Sequence, residues 1–277
     1  LVGNGKQLKS KTALGDAGVQ GVFEGWMTGA AAATPPTEDG YYLQAETGQE
    51  WTQLIEKGLM SACFASQLTS NYLAGIESDD NSVAVDPANG KYYTEMEHHW
   101  DEAYGYFTDA TNYGEANPAD AEGETPFGTE RFWGKYAYKT LNTLLGTADA
   151  ISAAFRTGRA AIAAGVTADV PAQVAVIQEE VRRMVAGMAI HYLNSTKQKV
   201  ADGESQNKVN HYMSEAYAFI YGVQFCANPD MDSQTVNGLL AQIDGGFEGF
   251  TQSTMSINAT IDLIAAASGL EAFKNDL

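Results

Sequence analysis

"MEHHWDEAYGYF", residues 96–107, is the stretch from which the rest of the chain is read. At about 100° per residue, Met96, Trp100, Ala103, Tyr104 and Phe107 gather along one side of a helix, while Glu95, His98, His99, Glu102 and Tyr106 share a second sector. An apolar spine beside a polar face predicts an amphipathic helix over 93–109. The same spacing of apolar residues at three and four recurs along the chain and predicts helices over 13–33, 49–76, 129–163, 170–202, 206–226, 232–244 and 248–268. Alternating patterns are nearly absent, "SVAVD" and "YYLQ" being the best of them. The expected fold class is therefore all-α.

Turn chemistry divides these helices. "TPPTEDG" (34–40) ends the first, because proline lacks a donor and restricts the residue before it. "ESDDNSVAVDPANGK" (77–91) and "NYGEANPADAEGETPFG" (112–128) read as long acidic loops whose aspartates are solvated surface. The expected organisation is one all-α domain over 1–277, with sub-bundles meeting at 128/129.

The sequence holds 35 acidic and 16 basic residues in 277, a formal charge of −19. Such a field repels nucleic acid and concentrates cations near the surface. Charged residues are only 18% of the chain, with 14 tyrosines, a profile expected of an exported protein. No run approaches the roughly 18 apolar residues of a membrane-spanning helix. The sequence opens at Leu1 without an export segment, which is expected to have been removed. Cys63 and Cys226 leave a disulfide open.

"HHWDEAYGYF" (98–107) aligns without gaps to "HYMSEAYAFI" (211–220), and each is followed by "ANP", at 116–118 and 227–229. An internal duplication is the expected cause. The echo repeats His98 and Glu102 as His211 and Glu215, one helical turn apart and within reach of each other. Imidazole beside carboxylate suits a borderline cation such as zinc, iron or manganese, and suits calcium less well. Glu95, His98, His99, Glu102, His211 and Glu215 are accordingly the candidate metal ligands. The alternative is a hydrogen bond that merely orients each imidazole. Where the first copy has Glu95, His99 and Tyr106, the second has Lys208, Tyr212 and Phe219, so a cation favours the first; Lys208 is placed to reach Glu215.

Asp101 and Tyr106, with Arg131 and Lys135 in "RFWGKYAYK" (131–139), are further candidates for ligand binding; the basic stems there otherwise lie over the aromatics. His191, after a long apolar run, reads as core. Glu24 in "FEGWM" reads as an internal partner for a histidine or arginine. A lone Glu-x-x-His at Glu95–His98 is half of a di-iron pattern, and H-E-x-x-H, C-x-x-C, G-x-S-x-G and phosphate-binding motifs are absent.

"FEGWMTGAAAA", "LIEKGLMSACF", "MEHHWDEAYGYF", "RFWGKY", "GRAAI", "AIHYLNS" and "SEAYAFIYG" together resemble a family of exported bacterial proteins, classed as a domain of unknown function and akin to the imelysin-like proteins. The resemblance implies a pair of antiparallel helical bundles, a lipoprotein or export signal, and a periplasmic or outer-membrane-associated location. It also implies a link to iron uptake, with an outer-membrane receptor or an imelysin-like protein as partner and a monomer or weak oligomer as the assembly. The imelysin H-x-x-E pattern is met by His99 and Glu102, although Glu97 stands where imelysins have glycine. A peptidase label attached to imelysin relatives makes a metal-dependent hydrolase the alternative, and a metal-free scaffold a second one.

Overall fold

The computed structural model describes residues 7–33, 42–110, 113 and 132–277. The all-α expectation holds. Apart from a two-stranded antiparallel hairpin, Ala84–Asp86 with Lys91–Thr94, every regular element among the described residues is helical. No helix among them is long and apolar enough to cross a membrane.

Most predicted helices form close to their expected bounds, as Ala17–Ala32, Glu95–Phe107, Val170–Ala201, Gln206–Gly222 and Ser233–Ile243. Side-chain caps fix several starts. Asp16 accepts from the Val19 amide, Ser205 from Lys208, and Asp232 from Thr235. Two of the longer predictions break. The 129–163 run divides at Gly146, whose φ of +69° is open to glycine at little cost, into Asn142–Leu145 and Thr147–Ala163. The last run divides into Phe247–Thr251 and Thr254–Ala267, the second capped by Ser253. Within the 49–76 run, Trp51–Leu59 gives way to π-helical turns at Met60–Ala65 and Gln67–Tyr72. Apolar spacing cannot report a turn widened by one residue.

The chain forms two compact units, one from residues 1–63 and 185–277, the other from 64–184. It passes between them inside two helical runs, so the division differs from the single cut at 128/129 expected from loop composition. The first unit is built on Gln206–Gly222 against Trp51–Leu59, around Leu54, Met213, Ala216 and Phe219. Gly58 allows the Ala17–Ala32 helix to approach Trp51–Leu59 from another side, because a Cβ would lie 2.9 Å from the Trp26 ring. In the second unit, Glu95–Phe107 packs on Gln67–Tyr72 and Thr147–Ala163 through the predicted spine, with Met96, Trp100, Ala103 and Phe107 all buried. Trp100 donates its indole N–H to the Phe155 carbonyl at 3.1 Å.

The 77–91 segment is largely exposed, as its composition suggested, but it is ordered rather than a plain loop. It carries the hairpin, and Asn81 ties it down by accepting from Thr94 Oγ1 at 2.7 Å and donating to the Ile162 carbonyl at 2.8 Å. "TPPTEDG" and, apart from Tyr113, "NYGEANPADAEGETPFG" lie outside the described residues. Cys63 and Cys226 are buried thiols rather than a disulfide, and burial pushes the Cys63 thiol up to about 11.

Candidate metal centre

The Glu95–Phe107 helix begins with a reciprocal cap. Thr94 Oγ1 accepts from the Glu97 amide at 3.2 Å, and the Glu97 carboxylate accepts from the Thr94 amide at 2.9 Å. That cap, with the Asp80 carbonyl accepting from the Met96 amide at 3.2 Å, sets residues 79–82 against the first helical turn. Asp79 thereby meets His99, its Oδ2 lying 2.8 Å from Nδ1. Glu95 joins them from the first turn, where its carboxylate accepts from the Asp80 amide at 3.3 Å. One ligand atom from each of Asp79, Glu95 and His99 lies within 4.8 Å of the others, and no other group of three His, Cys, Asp or Glu residues is so close among the described residues.

His98 and Glu102 stand beside this cluster. Their closest atoms are 3.7 Å apart, His98 stacks on Tyr93 at 5.0 Å between centroids, and the two neighbouring imidazoles are 5.7 Å apart. Glu102 also accepts a hydrogen bond from Tyr72, a phenol held well above its ordinary range by burial and then by that carboxylate. Tyr72, at the end of the second π-helical stretch, stacks on Tyr106 and approaches His99 to 5.6 Å. The predicted polar face is therefore assembled, and the structure adds Asp79 to it. Sequence reasoning passed over Asp79 because it sits 20 residues before His99 in a stretch dismissed as solvated. The hairpin directly after it, which folds the chain back onto the helix, was the available signal.

Asp101 points elsewhere. Arg159 bridges it at 2.8 Å to Nε and reaches Glu97 with Nη1 at 2.9 Å, and the Thr94 amide, followed by this guanidinium, holds the Glu97 carboxyl below its ordinary range. Lys135 lies 5.5 Å from the Tyr136 ring centroid, as the aromatic-stem reading expected, and Arg131 lies outside the described residues. Glu24 is exposed rather than internal. His191 is half-buried, and desolvation holds its imidazole below the ordinary range.

The echo site in the first unit has different chemistry. His211 Nδ1 lies 2.6 Å from Oε2 of buried Glu50, and its Nε2 is 3.9 Å from Glu215. Lys57 pairs with the other oxygen of Glu215 at 3.7 Å, so an ammonium already offsets that carboxylate's charge. Lys208 does not reach Glu215; it pairs with Glu204 at 2.6 Å. Glu50 was missed because nothing local links it to a histidine 161 residues away. Burial raises the Glu215 carboxyl against the opposing pull of Lys57 and His211. Burial alone would lower His211, but the hydrogen bond that it donates to Glu50 and the charges of Glu215 and Glu50 outweigh it and raise the imidazole. By alignment His98 corresponds to His211, yet it is His99 that makes the matching Nδ1 contact to an upstream carboxylate.

The family model described as "Domain of unknown function (DUF4856)" matches residues 19–271. The chain belongs to this family. No curated protein and no solved structure matches it. The family match spans both units, and so takes in the Asp79 cluster and the Glu50–His211 pair alike.

Proposed function

We propose that this family member is a non-enzymatic, periplasmic or outer-membrane-associated protein that binds a zinc, iron or manganese ion at Asp79, Glu95 and His99, with His98 and Glu102 as adjoining donors, in the service of metal uptake. The convergence of Asp79, Glu95 and His99 carries the reading. Mixed nitrogen and oxygen donors match those ions better than calcium, which prefers oxygen alone. Ligand atoms around a tetrahedral ion of this size are about 3.4 Å apart, so a change of side-chain torsion closes the 4.8 Å cluster. The helix N-terminus opposes a cation by roughly 0.3–1 kcal/mol. Two adjacent carboxylates and the −19 charge of the chain outweigh that. The imelysin kinship, the internal duplication and an uptake-receptor partner belong to this proposal.

Metal analysis of untagged protein after dialysis tests it. Wild type retains about one equivalent of metal; His99→Ala and Asp79→Ala lose it while keeping their helical circular dichroism. Asp101→Asn keeps it, since Arg159 already holds that carboxylate. Equal metal content in wild type and the first two variants rejects the proposal. For the echo site, the buried Glu50 contact and the Lys57 ammonium favour a structural link between Gln206–Gly222 and the segment entering Trp51–Leu59.

A further inference from the structure

The first unit contains a cleft of about 270 Å³ that has no part in the metal centre. Trp26, Trp51 and Tyr217 supply its rings, and Thr47, Gln49 and Asp244 its polar groups. Each ring is braced from behind. Trp51 lies so close to the Ala17–Ala32 helix that a Cβ on Gly29 would stand 2.7 Å from its indole. Trp26 makes edge contacts with Phe23 at 4.9 Å and Tyr221 at 5.5 Å. Tyr217 packs on Phe247 and donates its hydroxyl to Asp244 Oδ1 at 2.8 Å. Fixed rings leave their remaining surface to the cleft, and the bond from Tyr217 aims one carboxylate at it. Gly25 also lines the space, and a Cβ there would meet nothing within 4 Å.

We propose that this cleft binds a small organic ammonium ion, with the cation against Trp26, Trp51 and Tyr217 and its charge paired with Asp244. Among the described residues lining the cleft Asp244 is the one charged side chain and none is basic, which favours a cation over an anion. Aromatic faces attract a cation through the negative face of their π-systems, tryptophan most strongly. A carboxylate at the same opening adds to that attraction, as does the net charge of −19. The volume lies below the range of about 300–1,000 Å³ usual for drug-sized ligands, which limits the occupant to a small head group. A neutral sugar would find the same rings but no use for the charge.

Tryptophan fluorescence and calorimetric titration of the full chain with choline test the proposal against 3,3-dimethyl-1-butanol, its uncharged analogue, and a disaccharide. Choline is expected to saturate at millimolar concentration and to bind about tenfold tighter than the analogue, the share assigned to cation–π and carboxylate attraction. Asp244→Asn weakens choline several-fold. Gly25→Leu abolishes binding by filling the cleft, without lowering the melting temperature, because it enters open space in a helix that glycine weakens. His99→Ala leaves choline binding unchanged, which separates this cleft from the metal centre. Equal affinity for choline and its analogue, tighter binding of the disaccharide, full binding by Gly25→Leu, or no saturation by about 100 mM choline would each overturn the proposal.

Discussion

Two sites tie single residues to the stability of the fold, one through packing and one through charge. A Cβ on Gly158 would fall 2.2 Å from the Trp100 ring, and Trp100 is 1% exposed and held by its bond to Phe155. Alanine at 158 gains about 1 kcal/mol in helix propensity but overfills a core that cannot yield, at a cost of about 1–3 kcal/mol. Gly158→Ala is expected to lower stability by about 1 kcal/mol in urea unfolding, whereas an increase would show that the indole moves freely. The second case is His211. Its pKa is raised on folding, so its contribution to stability is complete below its ordinary value of 6.5 and is lost as pH rises through the folded value. Glu215 is also raised, so folding favours its neutral form and stability falls as pH climbs above 4.5. The two effects share a sign. Unfolding free energy should therefore decline as pH rises above 4.5 and go on declining past 6.5, and His211→Gln with Glu215→Gln should flatten the slope. An unchanged slope would remove this pair from the account.

Helices are the scale at which the sequence speaks most clearly. Period-3.6 spacing gave the spine of Glu95–Phe107 because its residues, Tyr104 apart, are also core residues. Backbone events that leave that spacing intact were invisible, and these include the left-handed Gly146 and the π-helical turns before Tyr72. The candidate site was half legible for the same reason. Glu95, His98, His99 and Glu102 lie on one helix, where spacing implies proximity. Asp79 and Glu50 reach their histidines only through tertiary folding, which no local pattern encodes. Thr94 connects the two levels, since it caps the helix and bonds Asn81 in the segment that presents Asp79. Thr94→Ala is expected to cost about 1 kcal/mol of stability and to weaken metal binding as well. Thr94→Ser, which keeps the hydroxyl, should restore both. Loss of stability with metal affinity intact would mean that the cap does not position Asp79.

Across the whole chain, an excess of acidic residues gives a field that draws cations, while the three-residue cluster is the point at which the proposed ion would be held. The field alone would bind ions diffusely and would weaken with salt over a screening length of about 8–10 Å at physiological ionic strength. A coordinated ion would instead resist such salt and occupy a fixed position. The most direct test is a crystal of protein loaded with zinc, iron or manganese, with anomalous scattering measured on both sides of the metal edge. The account predicts one strong peak within bonding distance of Asp79, Glu95 and His99. No peak there, or a peak only at Glu215 and His211, would contradict it.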